Sequence, residues 1–211
     1  NEGYAASAGD TLVRSDLCAE AIRLAKLLSV LMPDEPEALG LLALLLLQDS
    51  RRDARVDTAG ELVLLEDQER ALWDRAEVEE GLRVLDRAAA RRRPGPYQLQ
   101  AVIAACHAEG TGWEEIAVAY ARLEQLDPSP VVRLNHAVAV ALAGDLEAGL
   151  AMLDRLGGLE DYPYLHSARA DLLRRAGRHG EAADAYGRAL ALTGNEAERR
   201  FLARRLAELR A

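Results

Sequence analysis

The chain has 211 residues, 50% of them hydrophobic but only 4% aromatic, with a single Phe, which argues against disorder and for an Ala/Leu-rich stack of helices. Packing must then rest on aliphatic ridges rather than aromatic anchors. Thirty-five acidic residues against 26 basic ones give a formal charge of −9, so the overall field repels phosphate backbones and disfavours nucleic-acid binding by this chain alone.

Asn1, Glu2 and Gly3 carry neither a Met nor a helix start, from which a removed upstream segment is expected. Asp10 or Thr11 can cap a first helix, whose apolar positions Leu12, Leu17, Ala21, Leu24, Leu27, Leu28 and Leu31 keep helical spacing up to Met32 and Pro33. Asp34 and Pro36 launch a second helix over 36–48 that is apolar almost all round, which predicts a central position covered on several sides. Between Gln48 and Trp73 the periodicity breaks. Residues 54–57 and 61–65 read as a short hairpin or extended loop turning at Ala59 and Gly60, with Val63 and Leu65 docked on the helices because a two-stranded ribbon is marginal alone. A helix from about Asp74 to Arg91 follows, ended by Pro94, Gly95 and Pro96. The run Arg91, Arg92, Arg93 closes that helix, where cations complement its dipole and carbonyls.

The remainder repeats. Gly144 and Gly177 stand 33 residues apart, as do Tyr97, Pro130 and Pro163, so that 97–129, 130–162 and 163–195 each read as helix, tight turn, helix. Laying Gly144 on Gly177 places Ala137 on Ala170, Gly149 on Ala182 and Leu153 on Tyr186; Ala104, Ile116, Tyr120 and Leu123 serve in the first unit, which Asp127 and Pro128 end. Small residues where helices cross, with larger ones four positions on, resemble the tetratricopeptide pattern without its usual Trp. Asn195 can cap a final helix, 196–209, with the polar outer face that a solenoid end requires. The expected fold is an all-α, tetratricopeptide-like array of about nine to ten helices with a hairpin or loop insertion near 49–73. It forms one domain over 1–211: an irregular helical half, 1–95, then three repeats and a capping helix over 96–211.

No catalytic or metal signature emerges. Cys18 and Cys106 lack CxxC or Cys/His metal spacing and fit free thiols in a reducing compartment. Leu41–Leu47 is too short to span a bilayer and no signal peptide is evident, so a cytoplasmic protein is expected. Cys106 and His107 are adjacent, but neighbours on a helix point about 100° apart and share a proton poorly. Glu79 with Glu80 and Glu114 with Glu115 read as solvated helix faces, and His136, His166 and His179 share no short spacing. No enzyme, cofactor or metal is expected. Two groups are candidate partner-binding residues instead. Gln98, Arg133, Asn135, His136, His166 and Arg169 lie on the first helices of the repeats, which line the concave wall in such arrays; there they can hold a peptide backbone or carboxylate, or serve as solvated surface or packing. Arg52, Arg55, Asp67, Arg70 and Trp73 lie in the charged insertion, which is either an internal latch or a contact surface.

The opening NEGY, MPDEPEALGLLALLLLQDSRRDAR at 32–55, GELVLLEDQERALWDRA at 60–76, GPYQLQAVIAACHA at 95–108, SPVVRLNHAVAVA at 129–141 and HSARADLLRRAGRHGEAADAYGRALALTGNEAERRFLARRLAEL at 166–209 together resemble one group. It is the tetratricopeptide-like carboxy-terminal extension of bacterial extracytoplasmic-function sigma factors of RNA polymerase. The resemblance implies a parent with two sigma regions upstream that bind core polymerase and read the promoter. Those regions are missing here, so none of their DNA-reading residues transfers to this chain. Group members generally lack an evident membrane anti-sigma partner, and the tail is implied to support activity, either within the sigma factor or through another protein. The expectation is therefore a regulatory, protein-interaction module that controls transcription initiation. Its implied partners are the sigma regions of the same polypeptide, a regulatory protein, or both, with RNA polymerase engaged through the full-length protein. The alternative is an independent peptide-binding adaptor.

Overall fold

The computed structural model describes residues 15–58 and 60–210; the helix start expected at Asp10 or Thr11 and the turn residue Ala59 lie outside the described residues. Among the described residues there are ten α-helices and no β-strand: α1 (Ser15–Leu31), α2 (Pro36–Asp49), α3 (Arg75–Ala89), α4 (Pro96–Glu109), α5 (Trp113–Leu126), α6 (Pro130–Leu142), α7 (Leu146–Asp154), α8 (Pro163–Arg175), α9 (His179–Leu192) and α10 (Glu196–Glu208). They group into two compact units, 15–111 and 112–210, with the boundary inside the expected first repeat, after α4.

In the first unit α2 is the hub and packs against α1, α3 and α4. Its nearly continuous apolar circumference dictates this, with Leu39, Leu42, Ala43, Leu46 and Leu47 all buried. Helix α1 departs from expectation. Its Leu17, Leu24, Leu27 and Leu31 are exposed, whereas Cys18 and Ala25 are buried and Ile22 and Ser29 half-buried, so the face turned inward runs through 18, 22, 25 and 29. Ile22 packs on the core beside Ala25, Ala21 and Leu28 are half-buried, and the other four leucines are left outside.

Caps stitch the helices together. The Asp74 carboxylate accepts the N–H groups of Ala76 and Glu77 at 2.9 and 3.1 Å and starts α3. The Glu37 carboxylate, on the first turn of α2, accepts the N–H groups of Tyr97 and Gln98 at 2.8 and 3.1 Å and so caps α4 from another helix. Arg91 and Arg93 do not turn back on their own helix. Arg91 donates to the Pro33 carbonyl and pairs with Asp34 at 3.0 Å, and Arg93 donates to the Asp34 carbonyl, tying the end of α3 to the α1–α2 turn.

The insertion is less regular than a hairpin. Three single turns of 3₁₀ helix, Arg52–Ala54, Leu65–Asp67 and Arg70–Leu72, surround one antiparallel bridge between Val56 and Leu62. The turn is closed by Gly60 N–H donating to the Asp57 carbonyl, and Val63 N–H donates to Arg55, each at 3.0 Å. The expected strands reduce to this one pairing because the flanking residues satisfy their backbone groups in 3₁₀ turns. Val63 and Leu65 are half-buried.

The second unit is a stack in which successive helices pack on one another and α6 also meets α8, the nearest-neighbour pattern of a helical repeat. Gly144 and Gly177 make the turns with φ of 115° and 74°, where a side chain is strained. Ala137, Ala170, Ala182, Leu153 and Tyr186 are buried, as the register requires. A Cβ on Gly149 would lie 2.7 Å from the Ala137 carbonyl oxygen, so the absent side chain sets the spacing of α6 and α7. Asn195 caps α10, which buries Ala197 and Leu202 and exposes Arg200 and Arg204, with Arg199 and Arg205 half-buried.

Candidate functional site

The insertion divides its candidate residues between inside and outside. At the carboxyl end of α2 the buried Asp49 holds Arg52 at 2.8 Å, Arg51 donates to Gln48 at 2.8 Å, and the Ser50 carbonyl accepts the Asp74 N–H at 2.6 Å. Arg51, Arg55 and Trp73 are buried, so this part of the segment is built as a latch. Asp67 and Arg70 are exposed. Arg70 donates to the Ala108 carbonyl near the end of α4 at 2.9 Å, and its guanidinium lies over the Trp73 ring, 5.0 Å from the centroid.

Burial without full satisfaction marks the same region. Arg52 Nε, Gln68 Oε1, Trp73 Nε1 and Glu77 Oε2 are buried with no hydrogen-bond partner. Desolvation, then the nearby Asp49 and Asp74 charges, raise the Glu77 carboxyl above its ordinary value, with Arg52 opposing. Burial and Asp49 likewise raise the Cys18 thiol, which disfavours its thiolate. An open cleft of about 260 Å³ lies beside this network, lined by Arg70, Trp73, Arg75, Val78, Glu79 and Ala108.

Gln98 does not face a groove. It is buried, and its side-chain amide donates to Glu37 at 3.0 Å and to the Arg93 carbonyl at 2.8 Å. In the second unit the carboxylate of Glu124 on α5 gathers two candidates from α6, Arg133 at 3.3 Å and His136 at 2.8 Å. Asn135 between them is exposed. Arg169 pairs with Asp154 at 2.6 Å, and a ring nitrogen of His166 lies 2.7 Å from the Glu160 carbonyl. The groove cations expected to hold a partner's carboxylate therefore already hold Glu124 and Asp154.

Glu124 and Asp154 were not singled out by sequence reasoning, because each reaches the following helix across a turn. The available signal was a carboxylate late in one helix facing a cation early in the next. Arg75, Val78 and Ala108 were missed as well, since only folding brings the start of α3 to the end of α4.

Burial, then the charges of Arg51 and Arg70, lower the imidazole of His107, next to Cys106 in the chain, to about 4 and keep it neutral. Glu114 and Glu115 are exposed on the first turn of α5. Among the described residues no group of three His, Cys, Asp or Glu side chains is placed to hold a metal ion, and no helix is long and apolar enough to cross a membrane.

Residues 1–89, which run from before α1 to the end of α3 and include the insertion, match a family of unknown function, DUF6596. The chain is 52% identical over 217 aligned residues to an uncharacterized protein, R00370, of Rhizobium meliloti (strain 1021). That alignment covers 100% of this chain and 51% of the relative, so the chain spans about half the length of the curated relative it matches.

Proposed function

We propose that this chain is a non-enzymatic regulatory module, the helical-repeat carboxy-terminal extension of a bacterial extracytoplasmic-function sigma factor. It controls transcription initiation in the cytoplasm through contacts with a regulatory protein or with the sigma regions of its own polypeptide. The observation that carries this reading is the stacked helical array itself, in register with a 33-residue repeat and joined to the irregular segment whose sequence resembles that group. Arrays of this kind offer helix faces and loops to other proteins. A relative about twice as long is in keeping with a larger parent polypeptide.

The test removes residues 1–211 from the full-length protein and measures promoter-specific transcription in cells with a reporter. Loss of transcription, with the truncated protein still present, is expected; unchanged transcription overturns the proposal. An independent peptide-binding adaptor is the weaker reading, because Arg133 and Arg169, the guanidiniums it needs, are occupied within the chain.

A further inference from the structure

The cleft between the insertion and the end of α4 carries positive charge that the fold leaves unmatched. Arg70 is held by a neutral carbonyl and an aromatic face, and Arg75 makes no ion pair among the described residues. Arg75 also occupies the first position of α3, where the helix dipole disfavours a cation. It thus brings neither a pairing nor a dipole gain to the fold. Trp73, 7% exposed, forms part of the wall, and its buried indole N–H lacks an acceptor. Val78 and Ala108 supply apolar surface, and the carboxylate among the lining residues, Glu79, lies 3.9 Å from Arg83 on the same helix.

Two unmatched guanidiniums over an apolar floor, on a chain whose formal charge is −9, suit a local acidic group rather than a polyanion. Arg75 lies on the first turn of α3, and Arg70 lies over Trp73. We propose that this cleft is the docking point for a short acidic-apolar segment of a partner protein, its Asp or Glu carboxylate accepted by Arg70 and Arg75 and its apolar neighbour set against Trp73, Val78 and Ala108. The inference rests on the regulatory-module reading and names the chemistry of the partner. Five of the six lining residues fall within the stretch 1–89 that matches the family, and Ala108 lies outside it.

The experiment follows the two indole N–H resonances of the 211-residue chain, Trp73 reporting and Trp113 serving as control. The probe is the acetylated, amidated peptide Gly-Ser-Glu-Leu-Ser-Gly, compared with its Gln counterpart and with sodium phosphate. A saturable shift of Trp73 with the Glu peptide alone is expected. Arg75→Gln should weaken binding about tenfold, the loss of one charge-assisted hydrogen-bonded contact. Glu79→Gln should tighten it about twofold by removing a rim charge that repels the ligand. Because Arg75 is exposed and unpaired, its replacement tests the cleft even where Arg70→Gln disturbs the fold. An unmoved Trp73 resonance, an equal response to the Gln peptide or to phosphate, or unchanged affinity in Arg75→Gln overturns the proposal. The deletion assay is read separately, so a silent cleft with lost transcription removes this site and leaves the module, whereas unchanged transcription removes the module.

Discussion

Glu37 shows how one carboxylate on the first turn of α2 organises another helix. It accepts three donors at the start of α4, two backbone N–H groups and the Gln98 amide, between 2.8 and 3.1 Å. Gln98 read as a groove residue by its position in the repeat, and its environment made it an internal strut instead. Spacing along a chain says which face a residue shares and nothing about which carboxylate will meet it. His107 makes the same point through its charge. Its folded-state value of about 4 lies below the ordinary 6.5, so the unfolded chain binds the proton more readily. The stabilisation from keeping it neutral is complete above 6.5 and is lost as pH falls from 6.5 towards 4. His107→Gln should therefore shrink the fall in urea-unfolding stability between neutral and mildly acidic pH by about 2 kcal/mol. An identical pH dependence in wild type and variant would show that the imidazole is not the group responsible.

Among the elements, the repeat pairs α6–α7 and α8–α9 were legible from the sequence because glycine turns and small crossing residues recur at one period. Gly149 and Gly187 separate two roles of a helical glycine. A Cβ at Gly149 meets the Ala141 Cβ at 2.5 Å and the Ala137 carbonyl oxygen at 2.7 Å, while a Cβ at Gly187 meets nothing within 4 Å. Both gain helix propensity on becoming alanine, by about 1 kcal/mol. Gly187→Ala should raise stability by about 0.5–1 kcal/mol. Gly149→Ala should lower it by about 1–2 kcal/mol, because over-packing against backbone outweighs the propensity gain. Opposite shifts in thermal midpoint are the expected result. Helix α1 was less legible. Its leucines keep helical spacing, yet the inward face is the one carrying Cys18, Ile22 and Ala25, and only Leu28 among the leucines is half-buried. The insertion was legible as an interruption but not as a set of 3₁₀ turns, whose short hydrogen-bonded loops leave no periodic mark.

At the scale of the molecule, an excess of nine acidic groups sets the long-range field. Duplex DNA of any sequence is expected to show no saturable fluorescence-anisotropy change with the 211-residue chain at low salt, the condition that most favours electrostatic binding. Appreciable, salt-sensitive binding would mean that the local arginines of the first unit outweigh the total charge. The sequence by itself determined the all-α class, the hub helix α2, the helix pairs α6–α7 and α8–α9 and the place where regularity breaks, because each of these follows from local periodicity and turn chemistry. Tertiary structure alone decided that Arg133 and Arg169 are consumed by Glu124 and Asp154 while Arg70 and Arg75 remain over a cleft. The reason is physical: whether a charge is available depends on which carboxylate the fold carries within hydrogen-bonding reach, and that distance belongs to the packed helices.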